Sequence, residues 1–102
     1  MKCFITTSLK EYQDDVFKIF KEANISVYSS AEITGIKEGP SPDFSQDWFA
    51  SGGEKFESVL IFSFTTDDNA KLAKEMIKKY NEQHKTGYPL RAFIVPVEEC
   101  IC

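Results

Sequence analysis

The feature that most constrains the fold is a pair of β-α-β patterns joined by a segment of about twenty residues, Lys37–Phe56. Strands that follow one another are usually joined by much shorter loops, and a long loop in a small domain commonly binds something. This segment also contains the chain's only tryptophan, Trp48. The sequence therefore predicts a domain of strands and helices with a binding segment in its middle.

Length and composition favour one globular domain, residues 1–102, with 42% apolar residues and a net charge of −4. Arg91 is the only arginine, so we do not expect nucleic acid as a partner. The first residues lack the apolar run of a signal peptide, and no stretch approaches the roughly 20 apolar residues of a membrane span. We expect a cytoplasmic protein that is not membrane-inserted, whose three cysteines, an odd number, are free thiols.

Hydrophobic periodicity and end signals predict four strands and two helices. Ser8 and Glu11 form a capping-box pattern for the first helix, Asn24 is a suitable C-terminal cap, and Thr65 or Thr66 caps the second helix. Gly87 and Pro89 predict the stop after that helix. The predicted strands are Lys2–Thr7, Ile25–Ile36, Ser58–Phe64 and Leu90–Val97.

The order βαββαβ predicts an α+β, ferredoxin-like sandwich: a four-stranded antiparallel sheet with both helices on one face. Two helices cover only one face of such a sheet. The last two strands nevertheless carry apolar side chains on both faces. One row is Val59, Ile61, Leu90, Ala92 and Ile94, and the other is Leu60, Phe62, Phe64, Phe93, Val95 and Val97. We therefore expect another subunit to cover this second face.

Two stretches resemble the PII-like (nitrogen regulatory protein P-II-like) family: Leu90–Glu98, similar to its last strand, and Trp48–Val59, similar to the end of its mobile T-loop entering the third strand. The resemblance implies a cytoplasmic homotrimer with ligand clefts between subunits, in which segment 37–56 contacts ligands and target proteins. The family's glycine-rich phosphate loop corresponds here to His84–Tyr88, with one glycine, and its tyrosine-bearing uridylylation motif is missing. The chain is thus most similar to the divergent PII-like group, several of which are associated with membrane transporters.

Two places are candidates for binding a small effector, either an adenine nucleotide or another anion. One is the start of the long segment, where a glycine lets a ligand approach the backbone. The other follows the second helix, where the resemblance places a phosphate loop and where cations and backbone N–H groups attract an anion. Alternatively, the glycine marks a bulge and the lysines complement the helix dipole. The candidates are Gly35, Lys37, Glu38, Gly39, Lys85, Gly87 and Arg91.

Aromatic residues within the long segment, Phe44, Trp48 and Phe49, are candidates for contact with a protein partner or a neighbouring subunit. In the C-terminal tail, residues 98–102, Cys100 and Cys102 form a C-x-C pair. Such a pair can ligate a soft or borderline metal ion or form a redox-sensitive disulfide, or it is an incidental part of a frayed end.

No arrangement of Ser, Cys or His indicates an activated nucleophile, and the chain has one histidine, so we do not expect an enzyme. The first hypothesis is a PII-like regulator of a protein target such as a transporter. A second is a CutA-like metal-binding trimer that uses the two tail cysteines or acidic residues of the long segment. A third is a dimeric α+β barrel monooxygenase or isomerase, in which a His and a Trp line a cleft on the open sheet face.

Overall fold

The computed structural model describes residues 1–38 and 54–101. Within them the chain forms one antiparallel sheet of order β2-β3-β1-β4 and two α-helices, which confirms the predicted ferredoxin-like α+β arrangement. The strands are β1 (Lys2–Leu9), β2 (Ser29–Lys37), β3 (Glu54–Thr65) and β4 (Arg91–Pro96). The helices are α1 (Gln13–Glu22), which follows a 3₁₀ turn (Lys10–Tyr12), and α2 (Asp67–Gln83).

The hydrophobic core lies between the helices and one face of the sheet. Phe4 faces the helices together with its cross-strand neighbours Ser63 and Ile94. Because side chains alternate along a strand, the residues on either side of them in each strand face away from the helices. Phe4 and Phe20 pack with ring centroids 5.6 Å apart. The fully buried members of the core also include Val16, Ala23, Val59, Ile61, Ala70 and Ala73.

Two of the predicted helix signals are confirmed. Asn24 has a positive φ of 64°, and the amides of Asn24 and Ile25 donate to the carbonyls of Lys21 and Phe20, as in a Schellman C-cap. At the start of α2, the hydroxyl of Thr66 accepts a hydrogen bond from the amide of Asn69 at 3.2 Å. The C-terminal end of α1 and the N-terminal end of α2 are therefore closed by local hydrogen bonds.

The prediction of a capping box at Ser8 and Glu11 is wrong. β1 continues to Leu9, where Ser8 is buried opposite Val59, because Ser8 extends the inward-facing row of Phe4 and Thr6. α1 begins only after the 3₁₀ turn and has no side-chain cap. The predicted second strand also begins too early: Ile25 is a buried core residue of the connection that follows the Asn24 cap.

β3 begins earlier than predicted, at Glu54 instead of Ser58. The ladder between β2 and β3 is unbroken from Ser29↔Phe62 to Lys37↔Glu54. Both ends of segment 37–56 therefore belong to the sheet, and residues 39–53 between them lie outside the described residues.

The face of the sheet opposite the helices is apolar and open in the single chain. Phe64 is 57% exposed, Phe93 54% and Val95 43%, and Ile5, Leu60 and Phe62 extend the same surface. Val97 lies beyond the end of β4 and is half-buried. Neither of the two described helices is long and apolar enough to cross a membrane.

Candidate functional site

A cavity of about 400 Å³ lies at one end of the sheet. In this antiparallel order, the C-terminal ends of β1 and β2 meet the N-terminal ends of β3 and β4. The connection between α2 and β4 reaches the same end through Gly87, Tyr88 and Pro89. Three parts of the chain that are distant in sequence thus form one concave surface, the usual shape of a small-molecule site.

Five of the seven predicted ligand-binding residues line this cavity: Gly35, Lys37, Glu38, Gly87 and Arg91. Lys85 is exposed and is not among the lining residues, and Gly39 lies outside the described residues. The structure therefore brings together the start of the long segment and the stretch after the second helix. A role for these residues in binding stays a prediction.

Gly35 has a steric reason to be glycine. It lies directly opposite Phe56 in the ladder, and a Cβ at this position would overlap the Phe56 ring. The register runs through Gly35 without an extra residue, so the bulge that was the alternative interpretation is absent from the described part of β2. Gly35 thus provides the space in which an aromatic ring lies across the floor of the cavity.

An aromatic corner formed by Phe56 and Tyr88 is the part of the site that sequence reasoning missed. The two ring centroids are 4.9 Å apart with planes at 59°, and the Lys37 ammonium lies 5.8 Å from the centroid of the Tyr88 ring. Phe56 could have been recognised from its pairing with Gly35. That pairing requires β3 to begin at Glu54, whereas the sequence predicted a start at Ser58. The signal for Tyr88 was an aromatic residue placed between Gly87 and Pro89 in a connecting loop.

The connection that carries Tyr88 is held by side-chain hydrogen bonds. Asn81 in α2 donates through Nδ2 to the carbonyl of Leu90 and accepts through Oδ1 from the Leu90 amide, both at 2.9 Å. The Tyr88 amide donates to Thr86 Oγ1 at 3.0 Å. Because Leu90 is itself a core residue, these bonds fix the loop at the edge of the cavity to the helix and to the core.

The charges at the cavity favour an anion. Lys37 and Arg91 line it with one carboxylate, Glu38. A nearby acid, Glu32, is paired with Lys10 at 2.6 Å, and this hydrogen bond raises the pKa of the Lys10 ammonium. The Lys10–Glu32 pair lines a smaller adjoining depression that shares Ile33 and Ser58 with the cavity. Lys37 and Arg91 are therefore opposed by one carboxylate among the residues that line the cavity.

His84 lies on the other side of the sheet, in a groove between the two helices. Its ring stacks on Tyr80, with centroids 4.1 Å apart, and its Nδ1 is 3.0 Å from the Tyr80 carbonyl. The Tyr80 hydroxyl donates to Asp15 at 2.6 Å, and burial together with this bond raises the pKa of Tyr80. The histidine is thus remote from the open sheet face, where the enzyme hypothesis places it, and Trp48 lies outside the described residues.

Among the remaining predicted residues, Cys100 is described and does not line the cavity. Cys100 is exposed and takes part in a disulfide, so the expectation that all three cysteines are free thiols is wrong, whereas Cys3 is free. In this state Cys100 offers no thiolate to a metal, and Cys102 lies outside the described residues. Residues 1–38 and 54–101 contain no cluster of three or more His, Cys, Asp or Glu side chains able to hold a metal ion. The predicted partner contacts Phe44, Trp48 and Phe49 also lie outside the described residues.

Comparisons with known proteins identify the fold. No protein-family model and no curated protein matches the sequence. Among solved structures, a protein of Thermus thermophilus described as a PII-like signalling protein aligns over 91% of this chain and 82% of its own, with a TM-score of 0.61 and 10% identity.

A second similar structure is CPII, a nitrogen regulatory PII-like protein from Thiomonas intermedia bound to ADP, AMP and bicarbonate. It aligns over 98% of this chain and 94% of its own, with a TM-score of 0.63 and 11% identity. At this level of identity the similarity shows the fold. The chain has the fold of PII-like signalling proteins, which confirms the fold that the sequence resemblance implied.

Proposed function

We propose that this chain is a divergent PII-like regulatory protein that binds a small anionic effector in the cavity at the end of the sheet. One observation carries the proposal. Residues selected from two separate stretches of sequence, Gly35–Glu38 and Gly87–Arg91, converge on a single cavity that contains two cations. A cavity with cationic side chains, exposed glycine backbone and an aromatic wall suits an anion that also has a planar or apolar part.

The position of the cavity supports binding between subunits of a homotrimer. Gly35, Phe56, Thr7 and Arg91 belong to the rows of side chains that face away from the helices, so the cavity continues the open apolar face. A neighbouring copy that covers Phe62, Phe64 and Phe93 would lie beside it. The cavity would then become a cleft between two copies, closed by residues of the second one.

The proposed ligand class is an adenine nucleotide or another small anion such as bicarbonate. The structural neighbour CPII, bound to ADP, AMP and bicarbonate, supports this choice without deciding among the three. Because Lys37 and Phe56 end the long segment, a ligand that prefers one arrangement of them would change how the segment fits a protein target, for which we propose a transporter. The proposal places the protein in the cytoplasm.

The first test is calorimetric titration with ADP, AMP and bicarbonate, together with thermal shift, since a ligand of the native state raises apparent stability. Lys37→Gln and Arg91→Gln should each weaken the binding of the ligand by about tenfold or more, because each removes a charge-assisted contact. Lys71→Gln is the matched control: it removes the same charge from an exposed position of α2, and should change affinity by less than about twofold.

Lys85→Gln extends the same test beyond the cavity. A loss of affinity in this variant would mean that the ligand extends beyond the lining residues to His84–Tyr88, where the resemblance places a phosphate loop. The proposed function is contradicted if none of the three compounds binds, or if the Lys37 and Arg91 variants bind as tightly as the wild type.

A further inference from the structure

Tyr88 contacts both ends of the segment whose sequence lies between β2 and β3. On the β2 side, the Lys37 ammonium lies over its ring at 5.8 Å, and on the β3 side the Phe56 ring packs against it at 4.9 Å. Lys37 and Phe56 are not partners in the ladder, where they stand opposite Glu54 and Gly35. A single side chain from the α2–β4 connection therefore joins two different rungs of the β2–β3 ladder.

Tyr88 is held in place from its own side of the contact. Its amide is bonded to Thr86 Oγ1, and the bidentate Asn81–Leu90 interaction fastens the same loop to α2 and to the core. The Phe56 ring is held in turn by the space that Gly35 leaves beneath it. The partner with the greatest freedom is Lys37, whose ammonium stands at the end of a long and exposed side chain.

We propose that Tyr88 is a positioning residue that links occupancy of the cavity to the two stems of the long segment, residues 35–38 and 54–58. The ligand part of this proposal depends on the proposed function, whereas the contact between Tyr88 and the stems does not. Tyr88 holds the β2 stem through Lys37 and the β3 stem through Phe56.

An anion in the cavity changes only one of these two contacts. A charge-assisted hydrogen bond from the Lys37 ammonium to an anion is stronger than its attraction to the face of the half-buried Tyr88 ring. The ligand therefore draws the ammonium from the ring, while the apolar contact between Tyr88 and Phe56 stays. Binding of an anion therefore changes how the β2 stem is held, and this is the differential interaction that an effector needs in order to shift an equilibrium.

The contact is tested first without ligand, by hydrogen exchange and mass spectrometry on wild type, Tyr88→Ala and Tyr88→Phe. The Ala variant should exchange amides of both stems at least about fivefold faster, because it loses both contacts. The Phe variant keeps the aromatic face that contacts Lys37 and Phe56, so its exchange should stay closer to that of the wild type than to that of the Ala variant. Peptides from β1 and α2 serve as internal controls and should be unaffected. Wild-type exchange in the Ala variant, or fast exchange in both variants, would overturn the proposal.

The link to the ligand is tested with ADP as the probe and Trp48, the chain's single tryptophan, as the reporter. In Tyr88→Ala, ADP should bind more weakly, because the cavity loses part of its aromatic wall while Lys37 and Arg91 remain. Calorimetry therefore sets the ADP concentration that saturates each variant, and fluorescence is compared at saturation. The change in Trp48 fluorescence on adding ADP should fall to less than about half, and Tyr88→Phe should restore it.

An undiminished fluorescence change in the Ala variant would overturn the link. If ADP, AMP and bicarbonate all fail to bind the wild type, the proposed function fails instead, and the exchange experiment still decides whether Tyr88 holds the stems.

Discussion

The two faces of the sheet are built from alternate residues of the same strands, yet one face is buried and the other is exposed to solvent. On the helix-covered face Phe4 and Ile61 are fully buried, whereas on the open face Phe64 and Phe93 are more than half exposed. A sheet with one solvated face normally shows polar residues there. The covered face supplies the core of the single chain, and the exposed aromatic side chains of the open face support the proposal that a neighbouring copy covers it.

Energetics support this division. Complete burial of a Phe, Leu or Val side chain contributes about 1.5–3 kcal/mol. The open face presents Phe64, Phe93 and Val95 to water in the isolated chain, so a neighbouring copy that covers them gains several such contributions at once. The candidate cavity lies at the end of this face, which is why the comparison between the faces also bears on function.

The largest expected effect is on the covered face. Phe4→Ala removes a fully buried ring that packs on Phe20 and should lower the free energy of unfolding by about 3–5 kcal/mol. Phe93→Ala is the matched change on the open face. At protein concentrations low enough to separate the subunits, it should cost less than about 1 kcal/mol. Urea denaturation measures the free energy of unfolding of both variants. Equal losses of stability would contradict the difference between the two faces.

The second prediction concerns association. Phe93→Arg places a charge on the open face, in the edge strand β4. It should convert the proposed trimer to single chains, because a buried unpaired charge is strongly unfavourable. Sedimentation velocity should then report the 11.6 kDa chain in place of a species of about three times that mass. Circular dichroism should remain that of the wild type. A wild type that sediments as a single chain at micromolar concentration would contradict this view of the open face.

Much of the fold was predictable because local sequence patterns indicate the individual strands and helix ends. Alternation along β3 and β4 separated inward from outward residues, and Asn24 and Thr66 marked a helix end and a helix start. The start of α1 was not predictable from Ser8 and Glu11, because the capping pattern is local whereas the pairing of Ser8 with Val59 depends on a strand fifty residues away. Tertiary pairing outweighed the local preference there.

The third prediction separates the two glycines of the cavity. Gly35→Ala must push the Phe56 ring aside and should cost about 1–3 kcal/mol of stability, with loss of ligand affinity. Gly87→Ala is the control, since a Cβ there meets no atom within 4 Å, and it should change stability by less than about 0.5 kcal/mol. Thermal unfolding and ligand titration of both variants measure the difference. A tolerated Gly35→Ala would mean that the Phe56 ring moves freely.

The candidate site was predictable only in part for a related reason. The cations and glycines were visible as residue types at the ends of elements, and five of the predicted residues line one cavity. The aromatic corner depends on the register that places Gly35 opposite Phe56 and on the loop geometry that brings Tyr88 to both stems. Neither follows from residue type or spacing along the chain.

The smallest expected effect compares two neighbouring threonines of β1. Thr6 faces the helices, and its hydroxyl is buried without a hydrogen-bond partner among the described residues, whereas Thr7 is half-buried on the open face. An unsatisfied buried hydroxyl is costly, so Thr6→Val should raise the free energy of unfolding by about 1 kcal/mol, or the melting temperature by about 4–8 °C. Thr7→Val should change stability by less than about 0.5 kcal/mol, because the hydroxyl of a half-buried residue on an open surface remains accessible to water. Urea and thermal unfolding measure both variants. An equal gain in the free energy of unfolding for both variants would show that water reaches both hydroxyls alike. The distinction between a closed and an open face would then not hold for this pair of threonines.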